Sequence, residues 1–281
     1  MLNVIRFLFS HPLTRDAKFK ALLRFFSWQI KCRLKNEIIV PWVGATKLSV
    51  RRSMRGATGN IYAGLHEFVD MIFVLHFLRP GDLFLDIGSN IGSYTVLASG
   101  ACGAETWAFE PDPETAVFLR KNLEINALNN ITQIFEHALG STEADIAFTV
   151  GRDTENRIAD PGDLNVRTVQ QRTLDTITGD RHPIMMKLDV EGSEDAVLQG
   201  AAACISKKSL LAIQAESVSE YFEATLNQEG FRRAYYDPYR RELSNVPTKF
   251  LSANTLFVRD EQAIAERLIG ASKVDVLGQR I

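Results

Sequence analysis

The stretch DLFLDIGSNIGSYTVLAS, Asp82 to Ser99, decides the fold. A short apolar run, Leu83 to Ile87, stands between Pro80-Gly81 and a glycine cluster, the pattern of a buried parallel strand. A helix start follows. Between strand and helix lie Asp86, Gly88, Asn90 and Gly92: a carboxylate at the strand's carboxyl end, then residues that let the backbone turn sharply and approach a ligand closely. Such a turn predicts a nucleotide-type pocket.

The turn excludes the commoner nucleotides. A nicotinamide or flavin fingerprint wants Gly-x-Gly-x-x-Gly, but here Asn90 takes the second glycine position and the third glycine is out of place. A phosphate-cradling loop ends in Gly-Lys-Ser/Thr, and this turn has no lysine. What remains suits a ligand carrying amines and hydroxyls in place of phosphates, such as S-adenosylmethionine (SAM).

Composition narrows the class further. With 281 residues and 46% hydrophobic content, the chain can bury one large core, so one main domain is expected. Cys32, Cys102 and Cys204 are far apart and form no Cys-x-x-Cys pair, which argues against a disulfide framework or a zinc site and fits a reducing cytoplasm. No apolar run is long enough to span a bilayer, and LNVIRFLFS near the start is short and interrupted by Arg6. The net charge of −2 hides an asymmetry: residues 1–60 hold 12 Lys and Arg against 2 Asp and Glu. A basic front suits an anionic membrane surface or a phosphate-bearing substrate.

Residues 1–35 carry apolar residues at helical spacing with Arg and Lys between them, split by His11-Pro12. They read as two short amphipathic helices, with Phe25 and Trp28 placed to enter a lipid interface. Residues 37–62 read as short strands and turns, and Leu65 to Leu78 as a helix that delivers His66 and Glu67. After Asp82–Ser99 the alternation is steady: strand 106–109, helix 113–126, strand 131–135. It resumes with strand 184–188, helix 193–203, strand 210–215, helix 218–229, strand 231–236 and a last strand 254–258. Repeated strand–helix units imply a parallel sheet with right-handed crossovers. Residues 144–150 and 166–171 alternate as exposed strands would, and the polar segment 151–165 between them reads as a loop or lid. The expected division is a basic N-terminal extension over 1–60, the main domain over 61–260 and a tail over 261–281.

Ligands of open parallel sheets bind at the carboxyl ends of the strands. The second strand ends in Glu110, about 20 to 25 residues beyond the glycine turn, where an acid can accept hydrogen bonds from ribose hydroxyls. The neighbouring Asp112 fits a helix N-terminus better. His137, after the third strand, can line an adenine pocket. The fourth strand supplies Lys187, Asp189 and Glu191, which strict alternation places on one side. A buried strand does not hold three charges without a pocket or partners. Glu216 ends the fifth strand at the same rim.

These residues carry a resemblance. GDLFLDIGSNIGSYT, AFEPDPETAVFLRKNLEIN, RTLDTI, MKLDVEGSEDAVLQGA and ANTLFV follow in order the pattern of the FkbM family of SAM-dependent methyltransferases, over roughly residues 64–258. The Lys-x-Asp-x-Glu-Gly element is the most diagnostic part; Ser89, where alanine is common, is a mild departure. The resemblance implies an α/β fold, the class I methyltransferase (Rossmann-like) seven-stranded, mostly parallel sheet with an antiparallel last strand, here with an N-terminal helical extension. It also implies SAM as cofactor and methylation of a hydroxyl, on a sugar, glycan or related polyhydroxylated acceptor. By position, Asp86, Gly88, Asn90 and Gly92 would surround the methionine part of SAM, and Glu110 would hold the ribose. Lys187, Asp189 and Glu191 would stand beside the transferred methyl group, with Asp189 or Glu191 as base, helped by Lys187 or a divalent cation.

Nucleic acid is not an expected partner. Amino-methylating enzymes need Asp/Asn-Pro-Pro-aromatic after the fourth strand, where this chain has Asp189-Val190-Glu191-Gly192; Asp237-Pro238-Tyr239 is partial and misplaced. No cysteine follows a proline, as cytosine-carbon methylation requires. The rival from another class is a non-catalytic, membrane-recruited protein with the same fold, which would leave the rim carboxylates idle.

Overall fold

A computed structural model describes residues 2–52, 54–151 and 156–281. Helices α1 (Leu2–Ser10) and α2 (Lys18–Leu34) lead into the hairpin β1 (Ile38–Pro41) and β2 (Lys47–Val50), then α3 (Arg55–Ala63) and α4 (Phe68–Phe77). β3 (Leu83–Ile87) is followed by α5 (Ser93–Thr95), which runs into a π-helical turn at Val96–Ala101. Then come β4 (Glu105–Phe109), α6 (Pro113–Ile125), β5 (Thr132–Phe135), β6 (Ala138–Leu139), β7 (Ala144–Thr149) and β8 (Val166–Arg172). The chain continues through α7 (Leu174–Thr178), β9 (Met185–Leu188), α8 (Glu194–Gln199), α9 (Ala202–Ser206), β10 (Ala212–Ala215) and α10 (Glu220–Gln228). β11 (Arg232–Asp237), β12 (Glu242–Ser244), β13 (Thr255–Val258), α11 (Glu261–Ile269) and the hairpin β14 (Asp275–Val276) and β15 (Gln279–Arg280) complete it.

Among the described residues the main sheet runs β12-β11-β13-β10-β9-β3-β4-β5. β10, β9, β3, β4 and β5 are mutually parallel, and β13 lies antiparallel between β10 and β11. This is the expected seven-stranded arrangement with its antiparallel last strand. The structure adds β12, an antiparallel edge strand that pairs Tyr235 with Ser244. The strand order turns outward in both directions from β3 and β9, so the carboxyl ends of these two strands form the switch point where open α/β sheets take their ligands.

The pleat assigns the faces. Leu83, Leu85 and Ile87 of β3 join Met186, Leu188 and Ile213 against Val197, Leu198, Phe222 and Leu226 of α8 and α10. Phe84 points the other way, into a core with Phe73 and Phe77 of α4 and Ile264 and Leu268 of α11. α4 is wholly buried and mostly apolar, and its two polar side chains find internal partners: Ser252 Oγ donates to Asp70, and His76 Nδ1 bonds the Tyr236 hydroxyl. α6 starts where Asp112-Pro113 directs: the Asp112 carboxylate accepts from the amides of Glu114 and Thr115, and proline sits in the first turn.

Three expectations change. Phe25 and Trp28, placed at a lipid interface by the sequence reading, are 4% and 3% exposed and pack inward with Ala21, Cys32 and Tyr62. Burying two large aromatic rings stabilises more than leaving them in water, and the Phe25 and Tyr62 rings meet at 5.2 Å. Residues 261–281 do not trail away: α11 packs on α4, and Val276 and Ile281 join the same core. The segment expected as a loop or lid lies partly outside the described residues, at 152–155. Its continuation is tied to β7, with Arg157 O accepting from Thr149 N at 2.9 Å and Ala159 N donating to Ala147 O at 2.9 Å. β6, β8 and β7 form a separate three-stranded sheet.

Candidate active site

Register across the main sheet builds the floor of the site. Asp86 of β3 stands opposite Lys187 of β9, and Lys187 opposite Gln214 of β10. All three are buried and share the face that carries Phe84 and α4. A row of polar side chains at this depth needs internal partners. Thr95 Oγ1 donates to Asp86 Oδ2 at 2.5 Å, Lys187 Nζ bonds Asp189 Oδ2 at 2.5 Å, and Gln214 donates to Asp70 O. Lys187 Nζ also lies 4.6 Å from the ring centre of Tyr94, whose hydroxyl donates to Glu67.

Burial shapes the charges. It pushes Asp86 up to about 6 against the opposing pull of Lys187. Burial alone would lower Lys187, but the carboxylates of Asp189, Glu67 and Asp86 outweigh it and hold the ammonium charged. Asp189 is the converse case: burial would raise it, and Lys187 keeps it below the usual carboxylate range. Glu216, at the mouth, is pushed up by partial burial and by its hydrogen bond with Asp189. Two neighbouring carboxyl groups are thereby set apart, the arrangement that separates a proton acceptor from a fixed charge.

The glycine turn forms one wall. The amides of Gly88 and Ser89 both donate to Phe109 O at 3.0 Å, which locks the turn onto β4. Gly88 has φ of 80°, and a Cβ there would lie 1.8 Å from the carbonyl oxygen of Asp189. Only glycine lets the two turns touch. Asn90 is also left-handed, with φ of 50°, and its amide donates to Glu110 Oε2 at 3.0 Å while Asp112 N donates to Oε1 at 2.9 Å. Burial lifts Glu110 to about 8, so it stays largely protonated until something satisfies its charge.

These groups line one cavity of about 300 Å³. Of the residues read from the sequence, Asp86, Gly88, Asn90, Glu110, His137, Lys187, Asp189 and Glu191 border it, as does Glu216. Gly92 does not. Its φ of 85° begins α5, and a Cβ there would meet Leu119 of α6 at 2.4 Å, so its smallness serves helix packing. Glu191 reaches the cavity by a route that strict alternation does not describe: β9 ends at Leu188, and Glu191 sits in the following turn with φ of 51°. His137 presents a buried Nδ1 that has no hydrogen-bond partner among the described residues, a polar atom that a ligand in the cavity can satisfy.

Sequence reasoning missed part of the lining. Asn60, Ser93 and Tyr94 enter from α3 and α5, beside the Glu67 that the helix reading delivers; Leu139 and Phe148 of the small sheet, with Ile158 bridged to Phe148, add apolar lining. Tyr94 lay inside the decisive stretch, and Glu67 opens a helix, but their pairing spans 27 residues of chain and leaves no periodic mark. Asp86 to Asn90 with Glu110 and His137 have the donors, acceptors and close backbone approach to hold a nucleoside-bearing group. Carboxylate oxygens of Asp189, Glu191 and Glu216 lie within 4.8 Å of one another and are the groups that would hold a divalent cation.

Several known proteins resemble this chain. The family model described as methyltransferase FkbM domain matches residues 86–248. A hexuronic acid methyltransferase, AglP, of Haloferax volcanii is 30% identical over 141 residues, 47% of this chain and 55% of that protein. The chain thus spans about half the length of this relative. Among solved structures, methyltransferase FkbM from Methylobacillus flagellatus superposes with a TM-score of 0.41 at 18% identity, over 73% of this chain and 55% of that one. The precorrin-6y C5,15-methyltransferase of Geobacter metallireducens gives 0.40 at 13% identity, over 69% and 87%. With the family model matching more than half of its length, across the turn, the acidic second strand and the Lys187–Glu191 element, the chain belongs to the FkbM methyltransferase family.

Proposed function

We propose that the protein is a SAM-dependent O-methyltransferase that methylates a hydroxyl of a sugar or related polyhydroxylated acceptor. The carrying observation is the buried Lys187 ammonium paired with the half-buried Asp189 carboxylate at the switch point, in the same cavity as Glu110. SAM would supply a methyl group on a cationic sulfur. Glu110 would take the ribose hydroxyls, His137 Nδ1 would meet the base, and the turn from Gly88 to Asn90 would let the ligand lie against backbone. The residues fit that ligand because the cavity offers acceptors for hydroxyls and amines and no phosphate cradle.

The chain's own part in the reaction is orientation and proton handling. Lys187 holds the Asp189 carboxylate in one place, so that an acceptor hydroxyl can donate to it in a fixed direction. A hydroxyl is a poor nucleophile until its proton leaves, and Asp189, which Lys187 keeps charged, or Glu191 beside it in the cavity would receive that proton. A sugar acceptor is supported by the kinship with the hexuronic acid methyltransferase and by the polar rim.

Two measurements test the reading separately. Calorimetry should find SAM binding to the wild type and a clear weakening in Glu110→Ala. Labelled-methyl transfer to a panel of sugars and nucleotide sugars should fall by about 10²-fold or more in Asp189→Asn with SAM binding kept. A wild type that ignores SAM removes the cofactor; transfer that survives Asp189→Asn removes the catalytic assignment.

A further inference from the structure

α2 carries two apolar stripes, and only one of them has a partner. Ala21, Phe25, Trp28 and Cys32 face the domain. Phe19, Leu23, Phe26, Ile30 and Leu34 are 73%, 53%, 49%, 59% and 79% exposed. At 100° per residue these five fall within an arc of about 80° on the opposite side of the helix. A continuous run of large apolar side chains over the whole length of a helix is not the scattered exposure that any soluble surface shows.

The charges beside this stripe are all of one sign. α2 contains Lys18, Lys20, Arg24, Lys31 and Arg33 and no acid. Lys18, Lys20, Lys31 and Arg33 are exposed, and among the described residues none of them is ion-paired with a carboxylate. Lys18 also lies 5.3 Å over the ring of Phe9, which extends the apolar edge onto α1. Apolar side chains in the middle with lysine and arginine at the flanks are the design of a helix that lies in a bilayer interface, its rings among the acyl chains and its ammonium groups at anionic headgroups. A second copy of this chain fits the stripe poorly, since it would press one set of bases against another with no acid between them.

We infer that the exposed face of α2 seats the protein on an anionic lipid bilayer, with Phe19, Leu23, Phe26, Ile30 and Leu34 inserted at the interface. α2 packs on α3 through Arg24 and Gln29, which bond Tyr62, and α3 supplies Asn60 to the cavity. The membrane side of the molecule is therefore one helix removed from the site. The inference stands independently of the methyl-transfer reading.

Flotation of the full-length protein with phosphatidylcholine vesicles, with and without phosphatidylglycerol, tests it. The wild type should float with the anionic vesicles, less as salt rises. Combined Leu23→Ser, Phe26→Ser and Ile30→Ser should weaken partition by about tenfold or more. Combined Lys20→Glu and Lys31→Glu should remove the preference for phosphatidylglycerol. Because these side chains are exposed, the unfolding temperature serves as the folding control and should not fall. A wild type that stays in solution, or a triple variant that floats as the wild type does, overturns the inference. So does sedimentation showing a wild-type dimer that the triple variant lacks, which would give the stripe to a second copy.

Discussion

Glu110 is a carboxyl group buried between two backbone amides, and its protonation links stability to pH. Its folded pKa of about 8 lies above the unfolded 4.5, so the folded state holds the proton between those limits. The stabilisation is complete below pH 4.5 and is lost as pH climbs through 8. Glu110→Gln imitates the protonated form at every pH. The variant should therefore gain on the wild type in unfolding temperature as pH rises from 5 to 8, the gap widening in its favour; a gap that stays constant would show that Glu110 titrates normally. The position of Glu110 was readable from its distance along the chain to the glycine turn. The Asn90 and Asp112 amides that hold it were not, because a backbone donor carries no residue identity.

At the scale of elements, α11 shows how the region past β13 is fastened. Arg267 donates through Nη1 and Nη2 to both oxygens of Asp82, in the turn before β3, and through Nη1 to Phe77 O of α4. Its guanidinium also lies 5.2 Å from the centre of the Phe77 ring. Arg267→Ala leaves Asp82 half-satisfied and should cost about 2–3 kcal/mol in urea unfolding. A loss below about 0.5 kcal/mol would return residues 261–281 to the status of a loose tail. Strands were the most legible elements: β3, β4, β9, β10 and β13 are short apolar runs bounded by turns, and the sequence reading places each within two residues. α2 was legible as a helix but not in orientation. A helix with apolar residues on two opposite faces offers no local rule for which face turns inward; Tyr62, far along the chain, decides it.

Across the whole molecule the N-terminal helices, the β1–β2 hairpin and α6 share a core, in which Leu8, Phe25, Trp28 and Leu48 pack with Leu119 and Leu123. The small sheet of β6, β8 and β7 was visible only as alternating segments, and its contribution of Phe148 to the cavity depends on tertiary placement. The contact of Gly88 with the carbonyl of Asp189 joins the two halves of the site through a wall one backbone thick. A ligand that stiffens the glycine turn therefore sets the position of Asp189 as well. In kinetic terms, a methyl donor and its acceptor are expected not to bind independently. Acceptor affinity measured with S-adenosylhomocysteine present should differ severalfold from that of the free protein, and product inhibition should show an ordered pattern with the donor first. Equal affinities would mean that the wall yields without passing anything on.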